Sequence, residues 1–332
     1  MTKYPSAPVL LAAGIAAVIA NSAHAQGGEE PRSQDVLPQI IVTADPIGGR
    51  TPDDIIQPVS VVFGEELERR RSATLGQLLD GLPGVANSDF GPGVGRPVIR
   101  GLQGSRVQVL EDGLPTADVS GEGADHAIAI DPSRAEQIEV YRGPAVLLYG
   151  SGAAGGLVNV RTDRFDPNFG DSARVRGGLS YAENGSDRQG RLAVELPATD
   201  ELVFRADGSL RRSSDFDIDG FQQVDQTGGR RNKLVNSSVD TDAFSVTGLF
   251  RGDWGHLGLG LSTWETDYGI PENFDARPRA MGGQSDEFER VFAEYDRIDL
   301  RGELINPFPG FTAARVKMAY TWFEQQEVEF EF

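Results

Sequence analysis

Two patterns of apolar and polar positions divide the chain. Between residues 59 and 162, short apolar runs alternate with glycine-rich turns. Val59-Ser60-Val61-Val62 reads as a strand. Glu65–Arg70 opens a helix with acids in its first turn and bases in its last, as the helix dipole favours. Leu75, Leu78, Leu79 and Leu82 continue that helix at helical spacing until Pro83-Gly84 stops it. Further strands are expected at Pro97–Arg100, Val107–Leu110, Ile138–Tyr141 and Leu157–Arg161. This half reads as a compact α+β domain.

From residue 172 the pattern changes to long two-residue alternation. Phe204, Ala206, Gly208 and Leu210 alternate with Arg205, Asp207, Ser209 and Arg211. The same holds across residues 173–181, 191–196, 244–251, 257–262 and 314–322. Residues 291–304 alternate too, but the phase shifts near Arg297, as a bulge would cause. Short connections at 198–200, 252–255 and 305–310 lie on one rim; a small loop near 183–187 and long loops 213–239 and 267–289 lie on the other. That asymmetry favours an antiparallel transmembrane barrel over a soluble β-sandwich. Tyr181, Trp254, Trp264, Tyr320 and Trp322 lie near strand ends, where interfacial girdles sit.

Residues 1–25 carry Lys3, an apolar stretch from Val9 to Ala20 and Ala23-His24-Ala25, the plan of a cleaved secretory leader. A polar tether over 26–38 follows, then the isolated β-prone run Gln39-Ile40-Ile41-Val42-Thr43-Ala44 before Asp45-Pro46. Such a run is suited to adding itself to a partner's sheet edge. The net charge is −19, which disfavours a nucleic-acid partner and favours cations. With no cysteine, thiolate metal sites and cysteine nucleophiles are excluded. Gly150-Ser151-Gly152-Ala153-Ala154-Gly155 fits a dinucleotide fingerprint by letter, but a strand and not a helix is expected after it. No catalytic constellation is legible, so an enzyme is not expected, nor a bound cofactor.

Several runs in order resemble the TonB-dependent outer-membrane receptors. Ile40, Ile41, Val42, Thr43 and Ala44 are similar to the TonB box. Thr74–Leu79 with Leu82–Val85, Pro97–Gly101, Val107–Gly113, Ile138–Pro144 and Leu148–Gly156 resemble the plug domain. The resemblance implies an α+β plug domain followed by the start of an antiparallel transmembrane β-barrel. The implied organisation is a signal peptide over 1–25, an arm with the box over 26–50, a plug over 51–165 and barrel strands over 166–332. It also implies Sec-type export to the outer membrane of a Gram-negative bacterium, contact with outer-membrane lipid, and energising by TonB with its inner-membrane complex. About seven barrel strands are expected, an odd number, so the chain reads as the N-terminal fragment of a longer receptor.

Asp125-His126-Ala127, Tyr268-Gly269-Ile270-Pro271 and Leu304–Phe311 resemble the zinc-uptake branch. That resemblance implies metal binding by Asp125 and His126, with zinc as transported cargo; carboxylate and neutral imidazole are both zinc ligands. Residues 272–290 hold no histidine, although members of the branch often carry a histidine-rich segment there. A siderophore, haem or other ligand of the same family, or a non-transporting adhesin-like role, is the alternative expectation.

Overall fold

The computed structural model of the protein describes residues 58–143, 149, 151–223, 230–271 and 287–331. The expected leader, the tether, the Ile40–Ala44 run and most of loop 267–289 lie outside the described residues. The first domain comprises β1 (Val59–Phe63), α1 (Gly64–Arg70), α2 (Leu75–Leu79), β2 (Val85–Asp89), β3 (Gly95–Ile99), β4 (Val107–Glu111), β5 (Leu114–Pro115), β6 (Gln137–Arg142) and β7 (Gly156–Arg161). Its main sheet has the order β1-β6-β7-β4-β5, with β4 and β7 parallel and the other pairs antiparallel. β2 and β3 form a separate hairpin. Strand β7 begins right after the glycine run, so no dinucleotide-binding helix is built there.

Leu67, Leu75, Leu78, Leu79, Val85, Ile99, Ile138, Val140 and Val158 close the core of this domain. Fully burying a side chain of that size contributes about 1.5–3 kcal/mol. The single helix expected from the leucine spacing is two helices. Arg71–Ala73 break it, and Thr74 caps α2 by accepting the Gln77 N–H at 3.4 Å. Leu82 still packs on the core, but from beyond the end of α2. Leucine spacing reported the buried face correctly and the continuity of the helix wrongly.

The second part is a seven-stranded antiparallel sheet: β8 (Arg174–Ala182), β9 (Asp187–Pro197), β10 (Leu202–Ser213), β13 (Val239–Gly252), β14 (Gly255–Ile270), β15 (Glu287–Phe308) and β16 (Phe311–Glu331), paired in that order. The hairpin β11 (Phe216–Gln223) and β12 (Arg230–Leu234) is inserted between β10 and β13. Register shows why the chain alternates. One cross-strand row reads Val175, Val194, Ala206, Val246, Leu261, Ile298, Tyr320, all apolar. The next residue along each strand gives Arg176, Ala193, Asp207, Ser245, Ser262, Arg297, Thr321, polar except for one alanine. The polar row faces the first domain, where Ser245, Ser262 and Arg297 are buried, whereas Leu261, Ile298 and Tyr320 on the other face stay exposed. A sheet with its apolar face outward and its polar face inward is the arrangement of a transmembrane barrel wall.

Two expectations are corrected here. The phase shift at Arg297 is no bulge: β14 and β15 pair without interruption from Ile270↔Glu289 to Gly255↔Leu304. Instead the inward face itself changes chemistry, from Val291, Ala293 and Tyr295 to Arg297, Asp299 and Arg301, all buried. The irregularity in β15 lies between Ile305 and Phe308. Trp264 belongs to no girdle either; it is buried on the inward face, stacked on Tyr295 with ring centroids 5.7 Å apart. Tyr181, Trp254, Tyr320 and Trp322 are exposed, but Tyr320 and Trp322 stand in the middle of β16 and not at its end.

Candidate functional site

The loop between β5 and β6 carries Asp125 and His126, and its shape is set largely by its own polar groups. Asp118 turns the chain by accepting the Ser120 N–H at 3.0 Å and the Ser120 hydroxyl at 2.6 Å, and its second oxygen accepts the Ala129 N–H at 3.0 Å. Arg96 of β3, buried beneath, donates to the carbonyls of Ser120 and Gly123. Burial holds the Arg96 guanidinium below the usual arginine range, while Asp125 and Asp118 act in the opposite direction. Gly123 permits the tight turn: a β-carbon there would stand 2.5 Å from Asp125 Oδ1 and 3.1 Å from His126 Nδ1.

Sheet residues then meet this loop. Tyr268 Oη of β14 donates to the Asp125 carbonyl and accepts the Ala127 N–H, both at 3.0 Å. His126 Nδ1 lies 3.0 Å from the Val119 carbonyl, which can only accept, so Nδ1 carries the hydrogen. His126 Nε2 then faces Glu327 Oε1 of β16 at 2.9 Å. An imidazole nitrogen and a carboxylate oxygen cannot sit at that distance lone pair to lone pair; a proton lies between them, and the same two atoms on one tetrahedral metal ion would stand roughly 3.3–3.5 Å apart. A ring whose other N–H donates to a backbone carbonyl is the usual setting of a metal-bound histidine. Among the described residues, no group of three or more His, Asp or Glu side chains is placed to hold a metal ion.

Below the loop, the first domain meets the wall through buried charge. Arg164, in the connection before β8, is 1% exposed and reaches Glu111 at 3.5 Å, Asp112 at 3.4 Å and Asp299 of β15 at 3.9 Å. Burial works against its charge, and the Glu111 and Asp112 carboxylates more than offset this, raising its pKa above the usual arginine value. Arg297 adds contacts to Glu111 at 3.5 Å and Asp299 at 3.0 Å, and Arg301 binds Asp299 at 2.8 Å. Nearer the outer end, Arg134 pairs with Asp207, and Ser209 donates to Asp131. These groups hold the domain against the sheet and offer no nucleophile–base pair.

Of the residues read as metal ligands, His126 is brought to a second ligand-type group, while Asp125 contributes its carbonyl to Tyr268 and its carboxylate lies over Gly123. Glu122, nearby in sequence, is exposed. Glu327 was not legible as a partner. The alternation places it on the inward face, but only the strand register brings it to a loop two hundred residues earlier.

Comparison with known proteins accounts for this architecture. Residues 51–157 match the family model described as TonB-dependent Receptor Plug Domain. The chain is 32% identical over 183 residues to the ferric enterobactin receptor PirA of Pseudomonas aeruginosa, a match covering 48% of this chain and 24% of that protein. A second ferric enterobactin receptor of the same species is 29% identical over 257 residues, covering 69% of this chain and 32% of the relative. Among solved structures, the copper transporter OprC superposes with a TM-score of 0.62 at 17% identity, covering 80% of this chain and 37% of that one. The FrpB iron transporter from Neisseria meningitidis gives 0.60 at 16%, covering 81% and 41%. At these identities the structural likenesses establish the fold. The chain spans 24% and 32% of the lengths of the two curated relatives. The first domain matches the model of a TonB-dependent receptor plug, and the domain and sheet together share the fold of these plugged-barrel structures.

Proposed function

We propose that this chain serves an outer-membrane receptor that imports a metal ion or metal complex, energised by TonB from the periplasm. The plug and the inward-polar wall support a plugged pore, and the names of the relatives, receptors and transporters, support transport over adhesion or catalysis. For the cargo, the observation that carries most weight is His126 Nε2 set 2.9 Å from Glu327 Oε1 with Nδ1 committed to Val119. It favours a borderline transition-metal ion of the zinc class, captured between plug and wall, with further ligands from water, from a chelator or from residues outside those described. A second reading has its own support: the curated relatives are ferric enterobactin receptors, which favours a ferric siderophore. TonB would engage Ile40–Ala44 by strand addition and draw on the plug.

Two substitutions in the receptor test this. His126→Ala or Glu327→Gln should lower uptake of radiolabelled zinc at limiting metal by tenfold or more, with normal amounts of receptor in the outer membrane. Zinc uptake equal to wild type, with ferric enterobactin uptake present, would transfer the reading to a siderophore. Val42→Pro removes a backbone donor that strand pairing needs. It should abolish uptake while surface binding of the same cargo persists; unchanged uptake would refute energising through this run.

A further inference from the structure

The side chain that matters next is Tyr268. It is fully buried at the outer end of β14, yet it touches two separate loops of the plug. Its hydroxyl bridges the carbonyl of Asp125 and the N–H of Ala127, the two residues flanking His126. Its ring lies against Gly93, where a β-carbon would come 2.6 Å from Tyr268 Cβ and 2.8 Å from Cγ. Val94, next in the chain, packs with Tyr268, Val239, Ile270 and Val291.

The register adds the decisive relation. Tyr268 pairs with Val291, and Val291 pairs with Glu327. Tyr268 and Glu327 therefore lie in one row of the wall, separated by two strand spacings, about 9.6 Å. Around His126 the remaining polar holds come from the plug itself: Asp118, Arg96 and the His126–Val119 contact. They fix the shape of this segment; further along the loop, Ala129 packs with Ala243, Trp264 and Tyr295 of the wall, and Asp131 and Arg134 bond Ser209 and Asp207. Tyr268 sets the place of the His126 segment itself, because it grips the backbone on both sides of His126 from the row that presents Glu327.

We infer that Tyr268 is a positioning residue for cargo capture: its hydroxyl holds His126 at bonding distance from Glu327. This rests on the reading of His126 and Glu327 as cargo ligands, so the test separates the two claims. The geometric arm needs no metal. The chain has no cysteine, so His126→Cys with Glu327→Cys gives a pair that a short bis-methanethiosulfonate reagent can bridge. Adding Tyr268→Phe, which keeps the ring and deletes both hydrogen bonds, should slow bridging about tenfold. An unchanged bridging rate overturns the inference.

The functional arm uses Tyr268→Phe alone. The dissociation constant for Zn2+ on purified receptor and the half-saturation of zinc uptake should both rise about tenfold. The maximal uptake rate and the amount of receptor should stay within twofold, a split that a merely destabilised fold would not give. If His126→Ala abolishes Zn2+ binding while Tyr268→Phe leaves it intact, the positioning role in capture is wrong. If bridging slows while neither variant changes Zn2+ binding, the metal reading fails and the geometric role of Tyr268 stands.

Discussion

Arg164 shows how individual residues join the two parts. It belongs to neither core; it lies in the connection and is enclosed by two plug carboxylates and one from the wall. Removing one partner from a buried ionic cluster leaves uncompensated charge, which costs about 3–5 kcal/mol. Arg164→Met keeps most of the volume, so the loss would report charge more than packing. The expected outcome is a receptor whose plug-dependent unfolding transition, followed by scanning calorimetry, falls clearly below wild type. A transition within a degree or two of wild type would show that Glu111, Asp112 and Asp299 are satisfied by Arg297 and Arg301. In the sequence Arg164 was one of many arginines. Asp125 and His126 were legible because a short run of letters carried them, whereas Arg164 and Glu327 acquire their roles only from partners far away in the chain.

At the scale of elements, α2 is seated on the β2–β3 hairpin by missing side chains. A β-carbon on Gly76 would meet Asn87 Oδ1 at 2.1 Å, the Arg96 nitrogen at 2.6 Å and the Gly95 carbonyl carbon at 2.7 Å. Two of those three are backbone, which cannot swing aside. Forcing extra volume into a packed contact costs about 1–3 kcal/mol. Gly76→Ala should therefore lift α2 from the hairpin and destabilise the plug by that amount, seen as faster proteolysis between residues 72 and 90; wild-type resistance would refute the close seating. The strands were the most legible elements, because every barrel strand had an alternating run inside it. Two errors share one cause. The joining of 65–82 into one helix and the bulge at Arg297 were both inferred from apolar positions alone. In the first case a threonine cap interrupted the helix; in the second, buried arginines and an aspartate took over the inward face that apolar residues occupy further along.

For the molecule as a whole, the two faces of the wall make separate demands, and they change along its height. The row through Val246, Leu261, Ile298 and Tyr320 faces outward and is apolar. Two rows nearer the outer end, the same face reads Leu210, Asp242, Glu265, Glu294 and Glu324. Hydrocarbon tolerates the first row and not the second, so the lipid boundary falls between them. A charged side chain facing lipid near the bilayer midplane costs about 2–4 kcal/mol, and near the interface only about 0–1. Leu261→Arg should accordingly reduce assembled receptor in the outer membrane and lower its unfolding midpoint in urea when refolded into lipid vesicles. Glu265→Arg, on the same strand and face but above the boundary, should assemble at wild-type levels with a midpoint close to wild type. Equal penalties at both positions would mean that the apolar row meets protein and not lipid, and the wall would then have to be redrawn as the inside of a larger soluble sheet.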